Sequence, residues 1–446
     1  MKHIYEPLAY QDYPIETSYW RQTVDMAAAT ADIETLEADT SCDFAILGAG
    51  YTGLFAALRL AEAGVDVVVV DANPPGWGAS GRNGGLACVG GSKVSDDHIE
   101  RCYGSADARL YFDAERGAVD LVEATLEQFS LDVDRHSKGY SYVAHRPKAI
   151  ADLKDYGEQY GRRYGLPHEF LNQRAMIEQG MKSPDFCAAV HLPIGFAINP
   201  MKFVLGITAI ARQRGVRLLH NSPIRQIRTG NGYELVGDRA VIKARKLIVA
   251  TNGYSSDDLP KALGSRYLPV QSNILVSRPL SKDEIAEQGW WSEQMVVDTR
   301  NLLHYFRLLP DRRMLLGVRG SVAVTRETIE KTRQKARRDF DRMFPAWRHV
   351  ETPHFWSGLI CMTRRLVPFA GPLPGMEGAY AALAYHGNGV SMGPYCGTLV
   401  ADLALGQSRL PHPAFMQRPM RPFELGPWRR WSLPPAFAWY GFKDRA

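Results

Sequence analysis

The sequence predicts an α/β protein: a dinucleotide-binding domain with a mainly parallel sheet, carrying a second, inserted α+β domain. Three observations predict it. A strand, a glycine turn, a helix, a second strand and an acid follow one another between residues 43 and 71. Two further apolar strands end in glycine-containing turns, near 250 and near 385. Between these pieces lie longer helical and β-like stretches, so the first domain is assembled from separated segments.

Residues 1–40 read as an arm. It is polar and aromatic (Tyr5, Tyr10, Tyr13, Tyr19, Trp20), unlike a signal peptide with a charged start and an apolar centre. Phe44–Leu47 is a short apolar run expected as a buried strand. Gly48-Ala49-Gly50-Tyr51-Thr52-Gly53 follows at once, and then a helix with Leu54, Ala57, Leu58 and Ala61 on one face, ended by Gly64. Residues 65–70 form the second strand, with Asp71 and Ala72 after it. In such a unit the first glycine permits a tight turn and the second lets backbone approach a pyrophosphate. The third lets helix and strand pack closely, and the helix start offers free N–H groups to phosphates. Asp71 is placed to accept from ribose hydroxyls, favouring FAD or NAD over a 2′-phosphorylated cofactor.

The next element is Gly76-Trp-Gly78-Ala79-Ser80-Gly-Arg82-Asn83-Gly84-Gly85. Five glycines in ten residues are costly in chain entropy, and such a loop is kept where backbone lies against something flat or highly charged. From 106 to about 174 the chain reads as helical and charged, including a helix over 106–129. Asn199-Pro200 opens another helix, 201–214. Short β-like pieces follow at 216–219, 224–227, 233–236, 240–242 and 247–250, the last leading into Thr251-Asn252-Gly253. Strands are expected at 268–276, 296–298, 302–309 and 314–318, with Asp311-Arg-Arg313 as a hairpin turn, and a helix at 325–344. A strand at 379–383 precedes Tyr385-His386-Gly387-Asn388-Gly389-Val390-Ser391 and a helix through Ala404. The tail, 408–446, is rich in Pro, Trp and Arg and is expected to wrap a surface.

With 446 residues and 45% hydrophobic content, the chain can bury a sizeable core. A net charge of +5 gives no case for nucleic acid, and no apolar run reaches membrane-spanning length. The basic run Lys331–Arg338 reads as a solvated helix face. The six cysteines have neither metal-site nor disulfide-framework spacing, which fits reduced thiols in a cytoplasm.

Together with Asp71, the stretch 78–85 (Gly-Ala-Ser-Gly-Arg-Asn-Gly-Gly) resembles the flavin-contacting loop of the FAD-dependent D-amino-acid oxidase superfamily. Within it, the chain is most similar to the gamma-glutamylputrescine oxidoreductase group. Asn199-Pro200, Ser222-Pro-Ile224-Arg225, Ala250-Thr-Asn-Gly-Tyr254, Tyr305-Phe-Arg307, Trp356-Ser-Gly358 and Gly387-Asn-Gly-Val390 extend the resemblance. Many relatives carry Gly-His-Gly where this chain has Gly387-Asn388-Gly389, which weakens a role for a histidine there.

The resemblance implies a Rossmann-like FAD-binding domain (41–105, 190–262 and 352–407) and a substrate domain with a large antiparallel sheet (106–189 and 263–351). It implies non-covalent FAD in an extended pose. Gly48–Gly53 would meet the pyrophosphate, Asp71 the ribose, Ile224 the adenine side, Ser80–Gly85 the pyrophosphate and ring, and Gly387–Ser391 the pyrimidine end. Cys361 lies one position off a covalent-attachment pattern seen in sarcosine oxidases and is read as a buried thiol. Arg82 is expected beside the cofactor. Tyr305, Arg307 and His386 are candidate catalytic or substrate residues, Arg307 for a carboxylate, and Arg364 or Arg365 a further one. No metal is expected. The reaction implied is oxidation of a C–N bond of a gamma-glutamylputrescine-like amine: hydride passes to the flavin and the imine hydrolyses. O2 or another electron acceptor would reoxidise the flavin. The alternatives are a secondary or D-amino acid substrate, or an FAD-binding subunit without catalysis.

Overall fold

The computed structural model describes residues 2–12 and 17–444; Tyr13 of the arm lies outside the described residues. Two eight-stranded sheets organise the chain. In the first, Thr40–Leu47 lies between Val67–Val70 and Val241–Val249, all parallel. Arg217–Leu219 and Ala379–Leu383 extend it in parallel on the two sides. Phe369–Pro372 and the hairpin Gln226–Gly230/Gly232–Val236 add to it in antiparallel fashion. The strands read as continuous apolar runs because both faces are covered. Phe44, Ile46, Val67 and Val69 pack with the helices Tyr51–Glu62, Pro200–Gln213 and Gly389–Ala404, whereas Ala45, Leu47, Val68 and Val70 join a core with Ile224, Leu235 and Tyr267.

The second sheet runs in the order His354–Thr363, Tyr267–Val276, Met314–Arg319, Tyr305–Leu308, Met295–Asp298, Tyr140–Ala144, Ala188–Leu192, Glu169–Asn172. Its pairs are antiparallel except Met295–Asp298 with Tyr140–Ala144. Leu275, Phe306, Leu308, Leu316 and Val318 face the helix Arg326–Met343. Ile274, Leu315 and Trp356 point the other way and merge with the core of the first sheet. That merged layer is where the site lies.

Local signals explain the elements around it. Asn199 caps Pro200–Gln213 by accepting from Met201 N and Lys202 N, and Pro200 occupies the first turn, where a missing N–H costs nothing. Gly64 ends Tyr51–Glu62 at φ +74°. Arg312 at φ +66° turns the hairpin between Leu309 and Arg313.

Four expectations differ from the structure. Tyr140–Ala144 and Glu169–Asn172 are strands inside the stretch expected to be helical; the long helices Ser105–Gln128 and Ile150–Tyr164 flank them and dominate its composition. Ala188–Leu192 belongs wholly to the second sheet, across the expected boundary at 190. His354–Thr363 is the edge of that same sheet rather than the opening of the third cofactor segment; Trp356 and Gly358 pair with Ile274 and Ser272. Finally, 240–242 and 247–250 are one strand, Val241–Val249, in which Lys243 and Arg245 point to solvent.

The basic helix face is solvated, with ion pairs Lys331–Glu327, Lys335–Asp339 and Arg337–Asp341. The tail is pinned by Arg429, which is buried and donates to Asp257 and to Tyr267 O, and by Asp444, which accepts from Asn301 N. All six cysteines are free thiols. No helix among the described residues is long and apolar enough to cross a membrane.

Candidate cofactor and active site

The turn after Thr40–Leu47 is built by contacts that only glycine satisfies. Gly48 sits at φ +110°, and a Cβ there would fall 2.8 Å from Ala250 O. A Cβ at Gly53 would fall 1.9 Å from Gly48 O, so the helix start is pressed directly onto the turn. The Ser80 hydroxyl accepts from Tyr51 N at 3.0 Å, which brings the second glycine-rich loop onto the same helix start. Asp71 accepts from Ala49 N at 2.8 Å and Asn73 N at 2.9 Å. Burial raises its pKa, against the pull of these N–H groups, and its remaining lone pairs are free to accept.

These groups open onto a cavity of about 370 Å³. Its lining comes from three parts of the chain: Gly48, Ala49, Gly50, Tyr51, Thr52, Asp71, Ala72 and Ile224 around the first turn; Gly78, Ala79, Ser80, Asn83, Thr251 and Asn252 from two further loops; and Leu359, Ile360, Cys361, His386, Gly387, Gly389 and Val390 from an edge strand and the last turn. The cavity joins the phosphate turn to the start of a second helix, Gly389–Ala404, whose N-terminus favours negative charge. Asp71 is the sole carboxylate among the described lining residues, so no second carboxylate in the lining opposes a diphosphate. These residues fit an extended dinucleotide.

Several expected site residues stand behind this surface instead. Arg82 is 4% exposed and anchors the loop: Nε donates to Trp77 O at 2.5 Å and Nη1 to Ser357 O at 3.1 Å, and the guanidinium lies 4.3 Å over the Trp77 ring. Trp356 donates to Arg82 O at 2.9 Å, and Gly358 packs against Arg82. Gly84 and Gly85 are pressed by protein: a Cβ would fall 2.6 Å from the Tyr305 ring in the first case and 2.0 Å from Ile198 O in the second. Protein contacts thus account for part of the loop's glycine content. Gly253 is held against Leu359 O, and Asn388 donates to Cys88 O at 2.8 Å. Ser391 is fully buried, its hydroxyl without a partner among the described residues.

Two candidate chemical residues need correction, and a third stands apart from this cavity. Arg307 does not reach the cavity. It is fully buried, donates Nη2 to Ile198 O at 2.7 Å, sets Nη1 3.2 Å from His136 Nε2, and lines a separate cavity of about 250 Å³ with Trp20, Asp134 and Lys202. Its Nη2 serves the crossing of Gly85 and Ile198, and its Nε has no partner among the described residues. His386 lines the main cavity, but Nδ1 donates to Gly91 O at 2.7 Å and Nε2 accepts from Thr363 N at 3.3 Å. Burial drives its pKa down to about 3, so it is a neutral staple with no nitrogen to spare. Tyr305 shares the sheet face with Arg307, yet its hydroxyl meets Ser272 Oγ at 3.2 Å outside that cavity. Arg364 pairs with Glu424, and Arg365 donates to Arg418 O and Pro419 O; neither lines the cavity. Burial pushes the Cys361 thiol up to about 12.

Sequence reasoning missed lining residues of two kinds. Trp77, Tyr254 and Tyr385 lie inside motifs already noted, where the glycines drew the attention. Tyr385 Oη bonds to Thr52 Oγ1 at 2.7 Å and ties the two cofactor helices together. His3 and Tyr10 come from the arm, stack at 4.0 Å and line the cavity. The aromatic composition of the arm was their one signal.

The profile of the family described as FAD dependent oxidoreductase (DAO) matches residues 43–403. Gamma-glutamylputrescine oxidoreductase of Escherichia coli is 30% identical over 93% of this chain and 96% of its own. The probable oxidoreductase OrdL of Rhizobium meliloti is 31% identical over 90% and 92%. Among solved structures, glycine oxidase from Geobacillus kaustophilus superposes with a TM-score of 0.71 at 20% identity, over 86% of this chain and 100% of that one.

Proposed function

The chain belongs to the FAD dependent oxidoreductase (DAO) family, and from that premise we propose that it oxidises a C–N bond of a gamma-glutamylputrescine-like amine. The observation that carries the reaction class is one cavity lined by Gly50 and Asp71 of the first turn together with Gly387 of the last. The substrate class is supported by the 30% identity to gamma-glutamylputrescine oxidoreductase over nearly the full length of both chains.

In this reading the parallel-sheet part holds the cofactor and the second sheet covers its reacting end. FAD, when bound, supplies the acceptor for a hydride from the carbon next to the amine nitrogen. The helix start at Gly50–Thr52 receives the diphosphate, with the Ser80 hydroxyl already holding the Tyr51 N–H, and Asp71 accepts from the ribose. At the Gly387 end the helix start stabilises developing negative charge. No free base lines that end among the described residues: His386 has both nitrogens bonded and Cys361 is held as a thiol. An amine that enters neutral needs no protein base, and the side chains orient it and exclude water. The inert Cys361 also argues for FAD held without a covalent bond, so acid precipitation should leave the flavin in the supernatant.

Turnover of gamma-glutamylputrescine, sarcosine and D-alanine by purified protein, with product analysis, tests the reading. Release of ammonia and an aldehyde from gamma-glutamylputrescine, at a kcat/KM above the other two, is expected. Turnover confined to sarcosine or D-alanine would refute it.

A further inference from the structure

Two cations near the reacting end have no task in this account. Arg319 ends the strand Met314–Arg319, paired with Ser272, while Tyr305 pairs with Gly317. Gly317 and Arg319 are two apart and share one face of the sheet. The Tyr305 ring lies on that face, since a Cβ at Gly317 would fall 2.0 Å from it. The same ring lies against Gly84, so Tyr305, Ser272 and Arg319 look toward the loop that borders the cofactor cavity.

Lys93 arrives from the opposite side. Cys88 O accepts from Asn388, Gly91 O accepts from His386, and Lys93 N donates to Leu366 O at 2.9 Å. Residues 88–93 therefore lie across the turn that ends the cofactor cavity. The Lys93 side chain is accessible to solvent and Arg319 is half-buried, yet burial lowers the pKa of both. Both side chains thus keep access to solvent while protein surrounds them. Each lacks a hydrogen-bond or ion-pair partner among the described residues, and the Arg319 charge lowers Lys93 further. The carboxylate that acts on Lys93, Glu115, is already engaged by Tyr164 at 2.8 Å and faces Arg163 at 3.9 Å. Two like charges held near each other without a counterion destabilise a fold, and such arrangements mark places where an anion binds.

We propose that Lys93 and Arg319, with the hydroxyls of Tyr305 and Ser272, form a subsite for a substrate carboxylate. The guanidinium supplies a two-pronged contact and the ammonium a point charge. The FAD diphosphate is not the occupant: the glycine turn and Asp71 line the cofactor cavity, whereas neither Lys93 nor Arg319 is among its lining residues. The inference rests on the amine-oxidation reading and sharpens it: the enzyme selects amines that carry an anionic end, such as the amino-acid head of a gamma-glutamyl amine.

The test uses FAD-loaded protein, Lys93→Met and Arg319→Met. Glutarate, a carboxylate that cannot be oxidised, is titrated by the flavin absorbance change, and thermal midpoints are recorded with and without it. Wild type should bind glutarate, and each substitution should weaken binding on the order of ten- to a hundredfold. Without glutarate the midpoints should hold or rise, because an unpaired charge has been removed. The ratio of kcat/KM for gamma-glutamylputrescine to that for putrescine acylated with butyric acid should fall by a similar factor. Unchanged glutarate affinity, no binding by wild type, or an equal loss on both substrates with a falling midpoint would overturn the subsite. Glutarate binding that depends on Lys93 and Arg319 without turnover of any gamma-glutamyl amine would support the subsite and sink the substrate reading instead.

Discussion

His386 shows how much a residue's role depends on where its ring nitrogens go. It stands at φ +52° in the turn before Gly387, with one nitrogen donating and the other accepting. Its folded-state pKa of about 3 lies below the ordinary histidine value, so the unfolded chain binds the proton more readily. Stability is therefore full above a pH of about 6.5 and falls as pH drops toward 3. At pH 4.5 the loss from this one group should be about 2–3 kcal/mol. His386→Asn keeps a residue that tolerates the left-handed conformation and removes the titration. Denaturant unfolding from pH 7 to 4.5 should show a shallower loss in the variant; equal acid sensitivity would mean that His386 is not held neutral.

At the scale of elements, the contact between Tyr51–Glu62 and Gly389–Ala404 brings both ends of the cofactor cavity together. It depends on small residues: a Cβ at Gly397 would fall 2.2 Å from Thr52 O. Gly397→Val should cost at least about 1–3 kcal/mol of overpacking and yield protein poor in FAD. A normal thermal midpoint with full FAD content would show that the two helices can separate without harm. These elements were legible in the sequence because their signals are local. Gly48, Gly50 and Gly53 fix the first turn, Asn199-Pro200 starts its helix, and Gly387–Gly389 opens the last one. What escaped was set by distant pairing. The edge strand His354–Thr363 gains its sheet from Tyr267–Val276, and Lys243 and Arg245 look like a break until their alternation is seen against Thr40–Leu47. Arg307 and Arg82 were legible as special but not as structural, because their partners are the carbonyls of Ile198, Trp77 and Ser357. No sequence pattern marks a carbonyl as a partner.

For the whole molecule, the two sheets share one buried layer, and the segment that carries Lys93 crosses the turn Tyr385–Asn388, which also lines the cofactor cavity. In the proposed reading this brings a receptor for the anionic end of an amine close to the cofactor's reacting end. The most direct measurement is an anaerobic titration of the purified protein with gamma-glutamylputrescine, followed by its visible spectrum. The account predicts a yellow protein whose flavin absorbance bleaches with the gamma-glutamyl amine at lower concentration than with putrescine. A protein that takes up no FAD, or a flavin that stays oxidised with every amine, would contradict it.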